Sequence, residues 1–175
     1  MNPIRARNVF GAVSLAFADE IIQDTTLHAP EAGPDASALA LIGHTPGLSI
    51  RTLAGSVALT HAGAVRLADR LESEGLIERR AHATDGRTRA LYLTAAGEKA
   101  CSSVLQARDS VLSRGFAALT QDEQQMLGQL AERMLRAAVR DEPHAYRVCR
   151  LCDYSNCPDC PVDAELKSRP CSNAA

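Results

Sequence analysis

The sequence has no tryptophan, and aromatic residues make up only 3% of its 175 positions. An interior with so few rings must be aliphatic and rich in alanine, as in helical proteins. Long hydrophobic runs are also missing. No stretch approaches the ~20 apolar residues that a membrane span needs. Met1 to Glu20 scatters charges with no clean apolar block, so no secretory signal is read there. A cytoplasmic protein with no membrane partner is expected, and in that compartment the six cysteines are not expected to form structural disulfides. A general excess of positive charge is absent too: the formal net charge is −2, so the whole chain is no polycation. No nucleophile–base arrangement, phosphate-binding glycine loop or pair of catalytic acids stands out, so an enzyme is not expected.

What is present is a chain long enough for one ordinary domain with a real core. Hydrophobic residues make up 46%, which argues against disorder. Charge is unevenly spread. From Arg51 to Arg89 there are seven arginines and no lysine against five acidic residues, so this segment is locally basic on an otherwise acidic body. Arginine is favoured over lysine where planar contacts to phosphate or guanine matter.

The most informative stretch is Thr60 to Arg89. Thr60 is a good N-cap. Ala64, Leu67, Ala68 and Leu71 follow at spacings of three and four, which places them on one inward helical face. Ala62, Arg66, Asp69 and Ser73 point the opposite way. The helix tip, Thr60, His61, Ala62 and Gly63, is small. A small tip lets the positive end of the helix approach a duplex closely, and Arg66 stands one turn behind it, within reach of a base edge or a phosphate. His61 and Arg66 are therefore candidate major-groove contacts. Gly75 stops the helix. Leu76 to Arg80 and Thr88 to Thr94 read as two strands, joined through the turn dipeptide Asp85-Gly86. The facing strand ends and the loop between them carry Arg79, Arg80, His82, Arg87 and Arg89. Arg70 and Arg79 suit phosphate contacts or surface ion pairs equally well.

Around this stretch, Pro3 to about Thr26 reads as a helix with an imperfect apolar stripe, and residues 28–36 as a break. Ser37 to Ile42 is a short apolar helix. Ser49 caps the next, whose Ile50, Leu53, Ala54 and Val57 face inward. Thr94 caps a long helix to about Leu119. Thr120-Gln121-Asp122-Glu123 is a capping box opening a last helix, which carries Met126, Leu127, Leu130, Met134, Leu135 and Ala138 and ends at Pro143. The organisation expected is 1–36, 37–94, 95–143 and a compositionally distinct tail, 144–175.

Taken together, Leu53-Ala54, Leu59-Thr60, Val65-Arg66-Leu67, Asp69-Arg70-Leu71, Gly75-Leu76, Arg79-Arg80, Asp85-Gly86-Arg87 and Leu91 to Gly97 resemble the MarR family of winged helix-turn-helix transcription regulators. The resemblance covers about Leu39 to Gly97. It departs at Ala58, a turn position where the family usually has glycine. The resemblance implies a mostly α fold: a winged helix-turn-helix, a two-stranded β wing and long terminal dimerisation helices. It implies a homodimer on a double-stranded DNA operator, acting as a repressor, with Arg87 entering the minor groove and Asp85 holding its side chain. A small-molecule effector would sit between the winged and dimerisation parts. A winged-helix module that binds protein instead of DNA is the alternative, and the wing arginines speak against it.

The resemblance does not extend to Cys149-x-x-Cys152-x-x-x-x-Cys157-x-x-Cys160, four thiols within twelve residues. Two Cys-x-x-Cys pairs can complete a tetrahedron of thiolates around zinc or hold an iron–sulfur cluster. Zinc is the first expectation, an iron–sulfur cluster the second and a metal-free thiol switch the third. A metal or redox signal is thus an alternative to a small-molecule effector. Cys171 beyond the cluster is a spare ligand or a free thiol. Cys101 reads as a buried, inert cysteine.

Overall fold

The computed structural model describes residues 2–30, 34–81, 89–157 and 159–169. Helix α1 (Pro3–Thr26) leads to α2 (Asp35–His44), strand β1 (Leu48–Ser49), α3 (Ile50–Ser56), α4 (His61–Ser73), β2 (Ile77–Ala81) and β3 (Arg89–Leu93). Two long helices, α5 (Ala95–Phe116) and α6 (Gln121–Ala138), then precede α7 (Glu142–Val148), a 3₁₀ turn (Tyr154–Asn156) and α8 (Pro161–Ser168). The fold is mostly helical with one small antiparallel sheet of order β1-β3-β2. Among the described residues, no helix is long and apolar enough to cross a membrane.

The helix starts follow from their caps. The Ser49, Thr60 and Thr94 hydroxyls each accept a hydrogen bond from the backbone N–H three residues on, at 3.1 Å. Thr120 and Glu123 form the reciprocal capping box. Helix α4 ends in a Schellman motif. Gly75, at φ +68°, donates to the Glu72 carbonyl, and Leu76 donates to that of Leu71. The chain leaves this corner directly into β2.

The core is built around α2, whose residues Asp35 to Ile42 are all buried. Leu39, Leu41, Ile42, Leu53, Leu67, Leu71, Ile77 and Leu91 pack there in one cluster. The sheet closes it: Ile77 lies opposite Leu93, and Arg79 opposite Leu91. Gly97 allows α5 to begin against the α4–β2 corner, since a Cβ there would lie 1.9 Å from the Leu76 carbonyl oxygen. The Thr94 hydroxyl and N–H donate to the Gly75 and Leu76 carbonyls from the same place.

The structure differs from the sequence-based expectations in three places. Strand β1, two residues long, pairs with Leu91 and Ala90 and adds a third strand beside the expected two. Pro143 does not end α6, which stops at Ala138 where Val139 turns extended; it stands in the first turn of α7. Its fixed φ and missing N–H suit that position. Pro161 likewise stands in the first turn of α8, a short helix in the tail, where no element is expected from the sequence.

Ala58, in the turn between α3 and α4, has φ +56°. A Cβ is strained in that region, and glycine is not. Ala58→Gly is expected to stabilise the fold by about 0.5–1 kcal/mol, after the entropy lost by a glycine is subtracted. A higher urea midpoint at unchanged slope is the expected reading.

Helix α1 lies along α5, with the Phe17 ring in the space that Gly115 leaves. Toward its N-terminus it exposes Ile4, Val9, Phe10 and Val13. Helix α6 has no buried residue and exposes Met126, Leu127, Leu130 and Met134. Both long terminal helices thus present apolar faces that this chain alone leaves uncovered.

Candidate nucleic-acid interface and cysteine cluster

The N-terminal end of α4 is held open to solvent. The Gly63 N–H is satisfied by Thr60, so the tip keeps its shape without a bulky side chain. His61 and Ala62 are exposed, Gly63 is half-buried and Arg66 is exposed one turn on. Arg66 has no acidic partner among the described residues. The four inward residues, Ala64, Leu67, Ala68 and Leu71, are all buried, which fixes the rotation of the helix and turns Arg66 outward.

Arg70 and Arg79 take the ion-pair alternative. Arg70 makes a two-pronged contact with Asp35: Nε donates to Oδ2 at 3.0 Å and Nη2 to Oδ1 at 2.5 Å. The Asp35 side chain is 0% exposed and that of Arg70 29%. This pair ties α4 to the start of α2. Arg79 reaches back from β2, with Nη1 on Glu72 and Nη2 on Asp69, both at 2.7 Å. It thereby sets the angle between wing and helix. Arg80 extends over the Tyr92 ring, 4.7 Å from its centroid. Asp35 is the residue that sequence reasoning missed. It was assigned to a linker, although a lone carboxylate at the head of an otherwise apolar helix is a signal that a cation must come to it. Asp85 and Arg87 lie outside the described residues, with the rest of the wing tip.

The four clustered cysteines sit at element ends. Cys149 terminates α7, and the Cys152 N–H donates to its carbonyl at 2.9 Å. Cys157 closes the 3₁₀ turn, and Cys160 is the N-cap residue of α8. All four are half-buried free thiols. Cys149 and Cys160 pack beside Val139, Ala145 and Val162. The thiols influence one another. A hydrogen bond between Cys149 and Cys152 makes the first proton of that pair easier to lose, with Cys152 lowered to about 6, and raises Cys149 for the second. Cys157 is raised, by burial first and then by the charges of Cys160 and Cys152. Among the described residues, no three potential ligands already converge on one ion-sized point. Cys171 lies outside the described residues.

The cysteine segment is not a loose appendage. Helix α7 lies against α3, and Tyr146 packs on the core. The Tyr154 ring meets His44 edge-on at 4.1 Å, and its hydroxyl donates to Asp163 at 2.9 Å. Between this segment, α2 and α5 lies a crevice of about 660 Å³, walled by Gly43, His44, Cys101, Leu105, Cys152 and Tyr154. Burial raises the Cys101 thiol to about 11, which keeps it protonated and unreactive.

This arrangement of capped helix, wing and flanking helices has counterparts. The MarR family model matches residues 32–88. The transcriptional regulator HosA of Escherichia coli is 30% identical over 102 residues, which is 58% of this chain and 76% of HosA. The chain belongs to the MarR family of winged helix-turn-helix transcription regulators. Solved relatives extend the likeness to the fold. A MarR family protein from Bacillus stearothermophilus superimposes with a TM-score of 0.68 at 17% identity, over 80% of this chain and 99% of its own. Streptococcus pneumoniae FabT, solved in complex with DNA, does so at 0.59 and 16% identity, over 75% of this chain and 95% of its own. The family-model match ends at residue 88 and does not include the cysteine segment.

Proposed function

We propose that this MarR-family protein is a homodimeric repressor that binds a two-fold-related DNA operator, one α4 in the major groove of each half-site. The observation that carries this reading is the tip of α4. A capped helix end with small side chains presents Arg66 and His61 outward, while Arg70 and Arg79 brace the helix through ion pairs to Asp35, Asp69 and Glu72. The groove-facing set is thus Thr60, His61, Ala62, Gly63 and Arg66, with Arg87 from the wing in the minor groove and Asp85 supporting it. Arg70 and Arg79 position this set rather than touch the duplex. FabT, a protein of the same fold, was solved in complex with DNA, which supports DNA as the partner. Repression follows from occupancy, because a dimer over an operator excludes other proteins from it.

Two copies supply the missing cover for the apolar faces of α1 and α6. The crevice beside Cys101 would take a small effector that shifts the spacing of the two recognition helices and so tunes affinity. The test is a Leu130→Glu, Met134→Glu double variant. It is expected to elute as a folded monomer and to lose about 10²-fold or more in DNA affinity, because each half-site must then bind alone. A variant that stays dimeric and binds DNA normally would show that α6 is not the interface.

A further inference from the structure

We infer that Cys149, Cys152, Cys157 and Cys160 together bind one tetrathiolate metal centre, a zinc ion or an iron–sulfur cluster, which ties the end of α7 to the start of α8. The first ground is how small a core the segment has of its own: apart from the face that α7 lays on α3, its buried side chains are Ala145 and Val162, packed with Val139 just before it. Units of this size are usually held by disulfides, metals or oligomerisation. Its cysteines are free, so a disulfide is not the staple. The second ground is placement. Each Cys-x-x-Cys pair brackets a turn: the first between α7 and the residues after it, the second between the 3₁₀ turn and α8. In each pair the two cysteines are three residues apart, the spacing of a chelating Cys-x-x-Cys pair.

The third ground is charge. Four Cys thiols that bind Zn²⁺ release up to four protons to solvent and leave a complex of charge −2. Arg108 and Arg150 line one cavity with Leu151 and Cys152, and the Arg150 Nη1 donates to the Arg147 carbonyl. Cys160 stands at the positive end of α8. Because the sulfurs do not already converge on one point, arrival of the metal draws them together. That movement reaches the rest of the molecule. Cys152 and Tyr154 wall the crevice, and α7 rests on α3, the first helix of the helix-turn-helix.

The test uses full-length protein purified without air, with metal analysis, an absorption spectrum and hydrogen exchange. One zinc per chain in a colourless protein, or iron and sulfide with visible charge-transfer absorption, is expected. The metal should be lost in both Cys149→Ser, Cys152→Ser and Cys157→Ser, Cys160→Ser variants and kept in Cys101→Ser. Chelation of the wild type guards against misfolded variants: exchange should rise across residues 142–169 and fall again when the same metal is restored. Protein that takes up no metal after incubation with zinc, or with iron and sulfide, would overturn the inference. So would metal retained in both double variants. Neither outcome bears on the repressor reading, which is measured by DNA binding.

Discussion

Arg70→Ala is expected to destabilise the folded chain by about 3 kcal/mol, the lower end of the range for breaking a buried ion pair by removal of one partner. The reason is the carboxylate left behind. Asp35 is wholly buried, and loss of the guanidinium strands its charge at the head of α2. The lower end applies because Arg70 is itself partly exposed. For a chain of this size the melting temperature should fall by roughly 6–12 °C. Arg70→Lys should recover only part of the loss, because an ammonium cannot reproduce the two parallel contacts to Oδ1 and Oδ2. Thermal and urea melts read both effects. An unchanged melt with weakened DNA binding would instead make Arg70 a direct DNA ligand.

Arg66→Ala should do the reverse. Arg66 is exposed and has no ion-pair partner among the described residues, so its truncation should leave stability within about 0.5 kcal/mol of the wild type. Its effect belongs to the complex. A good side-chain contact to a base contributes about 1–3 kcal/mol of discrimination, and a dimer loses two of them. Affinity for the best operator should therefore fall by about 10²-fold or more. If the contact is to a phosphate, binding weakens on all sequences alike and the salt dependence becomes shallower by about one phosphate per half-site. If it is to a base, specificity relaxes at one position in each half-site. Titrations at two salt concentrations separate these results.

The contrast between these two arginines shows where the sequence was legible and where it was not. The caps at Ser49, Thr60, Thr94 and Thr120 were readable because a cap is a local event: the hydroxyl and the N–H it satisfies lie three residues apart. The inward face of α4 was readable from helical spacing, and the strain at Ala58 from its place in the turn. Arg66 was set apart as a groove contact by its place behind the helix tip, but Arg70 was left between a phosphate contact and an ion pair, because only the folded chain brings Asp35 to it. Arg79 likewise meets Asp69 and Glu72 only once β2 folds back on α4. Pro143 failed for a different reason. Proline both follows helices and begins them, and the choice was set by Val139, which had already left the helix. Helices α7 and α8 are too short to carry a clear periodicity, so their residues showed as a cysteine motif before they showed as structure.

The fold also connects the proposed signals to the DNA-facing surface. The crevice touches α2 and α5, and the cysteine segment touches α3 through α7. A ligand in the first or a metal in the second acts on helices one step from α4. Either can alter affinity only by favouring one spacing of the two recognition helices over another.

The most direct measurement is selection of duplexes from a random pool by the purified protein, with Arg66→Ala in parallel. The expected result is a two-fold-symmetric motif with half-sites about one helical turn apart, enriched by the wild type and lost or blurred with the variant. Enrichment of no motif, of an asymmetric single site, or of the same motif at equal affinity by both proteins would contradict the placement of α4 in the groove.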